Sequence, residues 1–231
     1  MEQMKYIIHA CNKRLWYVKE YMIPDMLKQG IAAADIEIYL DKEGIGNLEA
    51  CMSCFSKLPD DGNTWHLQDD VLISSRFKEV TEKYAECKTI VNGICTLFDE
   101  ANNDSIGEVV LDKSWYSFPC IMIPNKLAKE CSSWFYHKSQ GDHKYIRWAE
   151  CHKGDDYIFK EFLYKNYPDI KVINLVPNII DHVDCLLGGS VTNDNRCKDM
   201  NVRSKYWEEE ELFMELEQRL GERNGRTDNL I

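Results

Sequence analysis

No window of this 231-residue chain approaches the run of about 18 apolar residues that a membrane-spanning helix needs. The beginning of the chain also lacks a signal-peptide pattern, since its apolar run extends only from Tyr6 to Ile8 before His9. Positive charge is scarce: 28 Lys and Arg against 39 Asp and Glu leave a net charge of −11. A surface that grips phosphates needs clustered basic residues, so whole-molecule nucleic-acid binding is disfavoured. No basic amphipathic helix points to a lipid surface. The chain contains no internal repeat, no linker that would split it, and no second C-x-x-C beside Cys51 and Cys54. What it does contain is a hydrophobic fraction of 44%, enough for one large domain with a proper core. Its ten cysteines suit small core residues and reduced thiols better than the disulfide framework of a short secreted domain, which predicts a cytoplasmic protein.

Periodicity predicts alternating strands and helices in the first third. Lys5–Ala10 is a short apolar run, and Leu15, Val18, Met22 and Met26 then recur at helical spacing, with Pro24 as a kink and Gly30 as the stop. Ile36, Ile38 and Leu40 alternate with polar neighbours as a strand that ends at Asp41. Asn47 is placed to cap a helix through Phe55. Thr64–Leu67 and Val71–Ile73 flank Asp69-Asp70, and Arg76–Ala85 reads as helical. Farther along, Lys88–Phe98 reads as a strand bent at Gly93. Trp115–Pro124 is aromatic and interrupted by prolines, Gly154 opens a helix, and Lys171–Val176 is a buried strand. The fold class predicted is α/β, a mostly parallel twisted sheet flanked by helices. Residues 1–200 form the main domain. Residues 201–231 add a charged helix and tail packed on that domain, with a homo-oligomer contact as the alternative use of its apolar stripe.

In such sheets ligands bind beyond the carboxyl ends of the strands, so the polar residues just after each strand carry the functional candidates. Leu67-Gln68-Asp69-Asp70-Val71 puts adjacent carboxylates at a strand end, either as ligands for a hard divalent cation or as a turn bonding nearby backbone. Gly154-Asp155-Asp156 opens a helix, where an acid is a cap or a general base. His182 follows the last core strand, with Gly188-Gly189-Ser190 beyond it, and is a metal or phosphate contact or a locally satisfied polar residue. Leu48, Cys51, Met52 and Phe55 share one helical face, which makes the C-x-x-C a core pair. Most of the aromatic residues between Trp115 and Trp148 read as core, with those two as candidates for stacking on a sugar ring.

Taken in this order, the segments resemble the nucleotide-diphospho-sugar glycosyltransferases of the GT-A fold. Gln68-Asp69-Asp70 is similar to that superfamily's D-x-D or E-D-D motif, Gly154-Asp155-Asp156 to its acceptor-side acidic motif, and Pro177–His182 with Ser190 to its P-S-L-V-x-H…S segment. Gln68 departs from the motif, whose first position is usually acidic. The resemblance spans about residues 5 to 190 and implies a hexosyltransferase-type enzyme, with a nucleotide-sugar donor, UDP-linked above others, and a carbohydrate or other hydroxyl acceptor. It implies that Asp70 and His182 hold Mn²⁺ or Mg²⁺ and that Asp69 contacts ribose or metal. By the same resemblance His9, Asn12, Arg14, Asp41, His182 and Ser190 lie around the nucleotide diphosphate, and Asp155 or Asp156 takes the acceptor's proton. The competing expectations are a catalytically weak sugar-nucleotide or glycan binding module and a zinc-stabilised interaction protein built on Cys51 and Cys54.

Overall fold

The computed structural model describes residues 4–94, 107–111, 118–188 and 207–227; the side chains of 107–111 and 224–227 are not described. Ser190 and Trp115, both predicted above as functional residues, lie outside these segments. Among the described residues, seven strands form the central sheet: β1 (Lys5–Cys11), β2 (Ile36–Asp41), β3 (Asn63–Gln68), β5 (Ile90–Asn92), β6 (Gly107–Leu111), β7 (Cys120–Pro124) and β8 (Val172–Val176). Their order is β2-β1-β3-β7-β5-β8-β6. The pairs β1–β2, β1–β3 and β5–β8 are parallel, and β7 and β6 run against their neighbours. Two further strands, β4 (Val71–Ile73) and β9 (Ile180–His182), pair antiparallel as a separate ribbon. This is a mostly parallel α/β sheet flanked by helices, the Rossmann-like and GT-A-like arrangement expected from the alternating pattern.

The strand sequences are apolar in both registers because both faces of the sheet are covered. Tyr6, Ile8, Ala10, Trp65, Leu67 and Met122 face one core. It is closed by α1, a continuous helical run of Leu15–Tyr17, a π-helical turn Val18–Met22 and Ile23–Lys28, and by α3 (Phe77–Glu82). Ile7, Ile121 and Ile123 face the other core, under α2 (Asn47–Ser56), α4 (Asn125–Ser139), α5 (His143–His152) and α6 (Gly154–Asn166). Leu48, Cys51, Cys54, Met52 and Phe55 are all buried there, so the C-x-x-C is part of the packing. The eight described cysteines are free thiols.

Some elements differ from the sequence reading. The first helix carries a π-helical turn just ahead of Pro24. The Ile23 N–H reaches back to the Val18 carbonyl in the π-helical turn, and Pro24, which has no N–H to offer, follows directly. Asn47 is the first residue of α2 and does not cap it; the Leu48 N–H is met at 2.8 Å by Glu150 Oε2 from α5. The charged C-terminal helix, α7, spans Glu210–Thr227 and so takes in most of the segment read as tail. Phe213, Leu216 and Leu220 of α7 lie in the same core as α1.

Candidate functional site

Strand β3 ends at Gln68, and the chain turns through Asp69 and Asp70 into β4. The ribbon partner β9 aligns Val71 with His182, and the Val183 N–H donates to the Asp70 carbonyl at 2.8 Å. That register brings Asp184, two residues past His182, back over the acidic turn. From the other side, β1 ends at Cys11, whose N–H donates to Asp69 Oδ2 at 2.7 Å. The turn after β1 then delivers Arg14, and the helix behind it is pinned by Tyr17 Oη donating to the Val71 carbonyl at 2.9 Å. The cluster thus lies beyond the carboxyl ends of β1 and β3, where an open α/β sheet places ligands.

Arg14 is the hub of the cluster. Its Nη1 donates to Asp70 Oδ2 and lies 3.5 Å from Asp69 Oδ1, while Nη2 donates to Asp184 Oδ1 at 2.6 Å. His182 Nε2 is 3.4 Å from Asp70 Oδ1 and 3.8 Å from Asp184 Oδ2. Burial alone would raise the Asp70 carboxyl, but the positive His182 and Arg14 outweigh it and hold the group below the usual carboxylate range. Burial works to lower His182, yet the charge of Asp70 wins and lifts the imidazole to about 9. Asp184 is raised to about 6, by burial first and then by Asp70.

Ligand atoms of Asp70, His182 and Asp184 all lie within 4.8 Å of one another. Asp70 Oδ1 is buried and accepts no hydrogen bond. Two carboxylates with an imidazole form an oxygen-rich donor set that suits Mg²⁺ or Mn²⁺. These residues therefore fit a divalent ion, and they include Asp184, which sequence reasoning missed. The available signal was an acid two residues after a histidine that closes a strand.

A second acidic group opens α6. Asp155 is buried, and its carboxyl is raised by that burial, against hydrogen bonds from the first-turn backbone N–H groups and the side chains of Asn47 and Gln68. Gln68 thus links the end of β3 to the start of α6. Asp156 Oδ1 accepts the Tyr157 N–H at 2.8 Å, and its carboxyl is pushed up to about 7 by burial and by the charge of Asp155. Trp148 on α5 is 45% exposed and stacks on His152, with ring centroids 5.4 Å apart.

The remaining predicted residues have other partners. Asn12 Nδ2 donates to the Lys42 carbonyl at 3.2 Å. Asp41 accepts the Ile45 and Gly46 N–H groups at 3.0 and 3.2 Å, which shapes the loop ahead of α2. His9 points beneath α2, where its Nε2 pairs with His66 Nδ1 at 3.0 Å and its ring contacts Tyr39. The structure therefore brings Arg14, Asp69, Asp70 and His182 together. Asp155 joins the end of β3 through Gln68, and the half-buried His9 is paired with His66.

No family profile matches the chain, and no curated protein matches it in sequence. Several solved structures are similar in shape at low identity. A197 from STIV is 14% identical with a TM-score of 0.43, over 78% of this chain and 85% of that one. The apo-form glycosyltransferase GlyE of Streptococcus pneumoniae TIGR4 is 11% identical with a TM-score of 0.44, over 72% of this chain and 44% of that one. HddC from Yersinia pseudotuberculosis is 9% identical with a TM-score of 0.29, over 55% of this chain and 79% of that one. Among the described residues, no helix is long and apolar enough to cross a membrane.

Proposed function

We propose that this chain is a glycosyltransferase that moves a sugar from a nucleotide-diphosphate donor, UDP-linked above others, to an acceptor hydroxyl with the help of Mn²⁺ or Mg²⁺. The observation that carries the reading is the convergence of Asp69, Asp70, His182 and Asp184 beyond the parallel strand ends, with Asp155 tied to the same strand end through Gln68. Asp70, Asp184 and His182 would hold the divalent ion, which when bound supplies Lewis acidity to the diphosphate leaving group. Arg14 is a positive donor placed to stabilise the charge that develops there.

On the acceptor side Asp156 serves as base, since a carboxyl near pH 7 in affinity suits proton transfer from a hydroxyl. The acceptor oxygen bonds to the anomeric carbon as the carbon–oxygen bond to the diphosphate breaks. The electron pair leaves with the nucleoside diphosphate, and the hydroxyl proton passes to Asp156. An in-line displacement of this kind inverts the anomeric centre. Trp148, exposed on α5, offers an aromatic face for an acceptor sugar.

The test is donor hydrolysis and transfer with a panel of UDP- and GDP-sugars, with and without Mn²⁺. Wild type is expected to turn over at least one donor in a metal-dependent way, and Asp70→Ala to lose about 100-fold or more. Absence of metal-dependent donor binding or turnover across the panel would sink the reading.

A further inference from the structure

The carboxylates that would take a divalent ion are already neutralised by the chain's own side chain. Arg14 is buried, and its guanidinium fork spans the cluster from Asp70 on the β3–β4 turn to Asp184 after β9. The separations in sequence are 56 and 170 residues, so only the folded protein assembles this contact. Arg14 covers Asp70 Oδ2, whereas Asp70 Oδ1, facing His182, keeps no hydrogen bond.

We propose that Arg14 is a tethered competitor of the divalent ion: it holds Asp70 and Asp184 together in the ion-free protein and leaves Asp70 when the ion binds. The inference rests on the metal-assisted reading above and adds a residue that sets how tightly the ion is held. Two positive centres on one carboxylate, shielded from water, repel strongly, so guanidinium and ion do not share Asp70 at full strength. Without Arg14, Asp69, Asp70 and Asp184 would face one another with His182 as their counter-charge. That would make the ion-free state costly and the ion-bound state correspondingly favoured. Once released, the guanidinium is a planar fork suited to a diphosphate.

The experiment titrates Mn²⁺ alone into the full chain and reads free ion by electron paramagnetic resonance, for wild type, Arg14→Gln and Arg14→Lys. Arg14→Gln is expected to bind Mn²⁺ about tenfold tighter or more, and Arg14→Lys, which keeps the charge, to stay near wild type. Thermal melting should show Arg14→Gln less stable than wild type without ion and gaining more from Mn²⁺. Equal or weaker Mn²⁺ binding by a folded Arg14→Gln protein overturns the proposal. So does the absence of Mn²⁺ binding in all three chains. Because Arg14→Gln can fail to fold, a structure of wild type with Mn²⁺ decides independently. Arg14 withdrawn from Asp70 supports the proposal, and Arg14 still bonded to an ion-loaded Asp70 refutes it. None of these readouts uses turnover. A chain that behaves as expected here yet transfers no sugar loses the function proposed above and keeps this inference.

Discussion

Asp155 and Asp156 open the same helix, one residue apart, yet burial gives them different roles. Asp155 is fixed by Asn47, Gln68 and the helix's own N–H groups, whereas Asp156 carries the cost of standing beside it and titrates at about 7. As a base Asp156 is active only when deprotonated, so the rate of transfer is expected to rise with pH through about 7. Asp156→Asn should remove that limb and lower turnover by roughly 100-fold or more, while Asp155→Asn should lower turnover without abolishing the limb. A rate profile in which Asp156→Asn keeps the wild-type limb would assign the base elsewhere. The same shift has a stability consequence of opposite sense to the usual carboxylate. Because the folded affinity lies above the unfolded one, folding binds a proton between about pH 4 and 7, and stability falls as pH rises through that window. Asp156→Asn is therefore expected to raise the melting midpoint at pH 8 more than at pH 5. Gly46 illustrates a purely steric constraint at this scale. Its φ is +108°, and an added Cβ would meet Glu150 Cδ at 2.7 Å, displacing the carboxylate that satisfies the start of α2. Gly46→Ala should cost about 1–3 kcal/mol in chemical denaturation.

Helix α7 shows how an element of strongly charged sequence is held down by a few apolar residues. Phe213, Leu216 and Leu220 are buried against the core that contains α1, and Arg223 lies 3.8 Å from the Trp16 ring centroid while pairing with Glu20 at 3.2 Å. The ion pair is exposed and contributes little, so the apolar contacts carry the docking. Leu216→Ala is expected to cost about 2–4 kcal/mol, and Arg223→Ala less than about 1 kcal/mol, both read from denaturation midpoints. A Leu216→Ala protein with unchanged stability would show that α7 does not contribute to the core. The stripe in α7 was legible in the sequence because its spacing is helical, and so were β1, β2 and β3, whose apolar residues alternate or run together before a polar stop. The pair α4 and α5 was not read, although Leu127, Ala128, Cys131 and Phe135 follow a helical period and Asp142 caps α5 by accepting the Lys144 N–H at 2.8 Å. The aromatic and proline-rich stretch ahead of them masked that period. Within the site, adjacent acids at a strand end can be seen in sequence, because strand and acid are neighbours along the chain. The reach of Arg14 to Asp184, or of Gln68 to Asp155, cannot, because each depends on crossovers that bring distant segments together.

At the scale of the whole molecule, the face of the sheet under α2 is sensitive to acid for a reason separate from the acidic cluster. His9 and His66 pair with each other there, and His9 Nδ1 and His66 Nε2 are buried without hydrogen bonds. Desolvation lowers His9 to about 4 and moves His66 well below its ordinary value, with the charge of His9 adding to the second shift. Both rings are therefore neutral in the folded protein and take up protons at about pH 6.5 when it unfolds. The sign follows: their contribution is fully present above about pH 6.5 and is lost as pH falls from there toward 4. Asp156 and Asp184, which are raised, act the other way over part of the same range, so the net slope is a contest between one pair of histidines and two half-buried acids. The histidines stand side by side on the neighbouring strands β1 and β3, each with one ring nitrogen buried and unbonded. The pair is therefore the part of this contest that favours unfolding in acid, against the two raised acids. Replacing it by His9→Gln with His66→Gln keeps polar partners and removes the titration. That double variant should carry its acid-unfolding midpoint lower by about one pH unit relative to its own neutral-pH stability. An acid midpoint that does not move, in a variant folded at pH 7, would place the acid sensitivity in the carboxylates of the cluster instead of in the sheet.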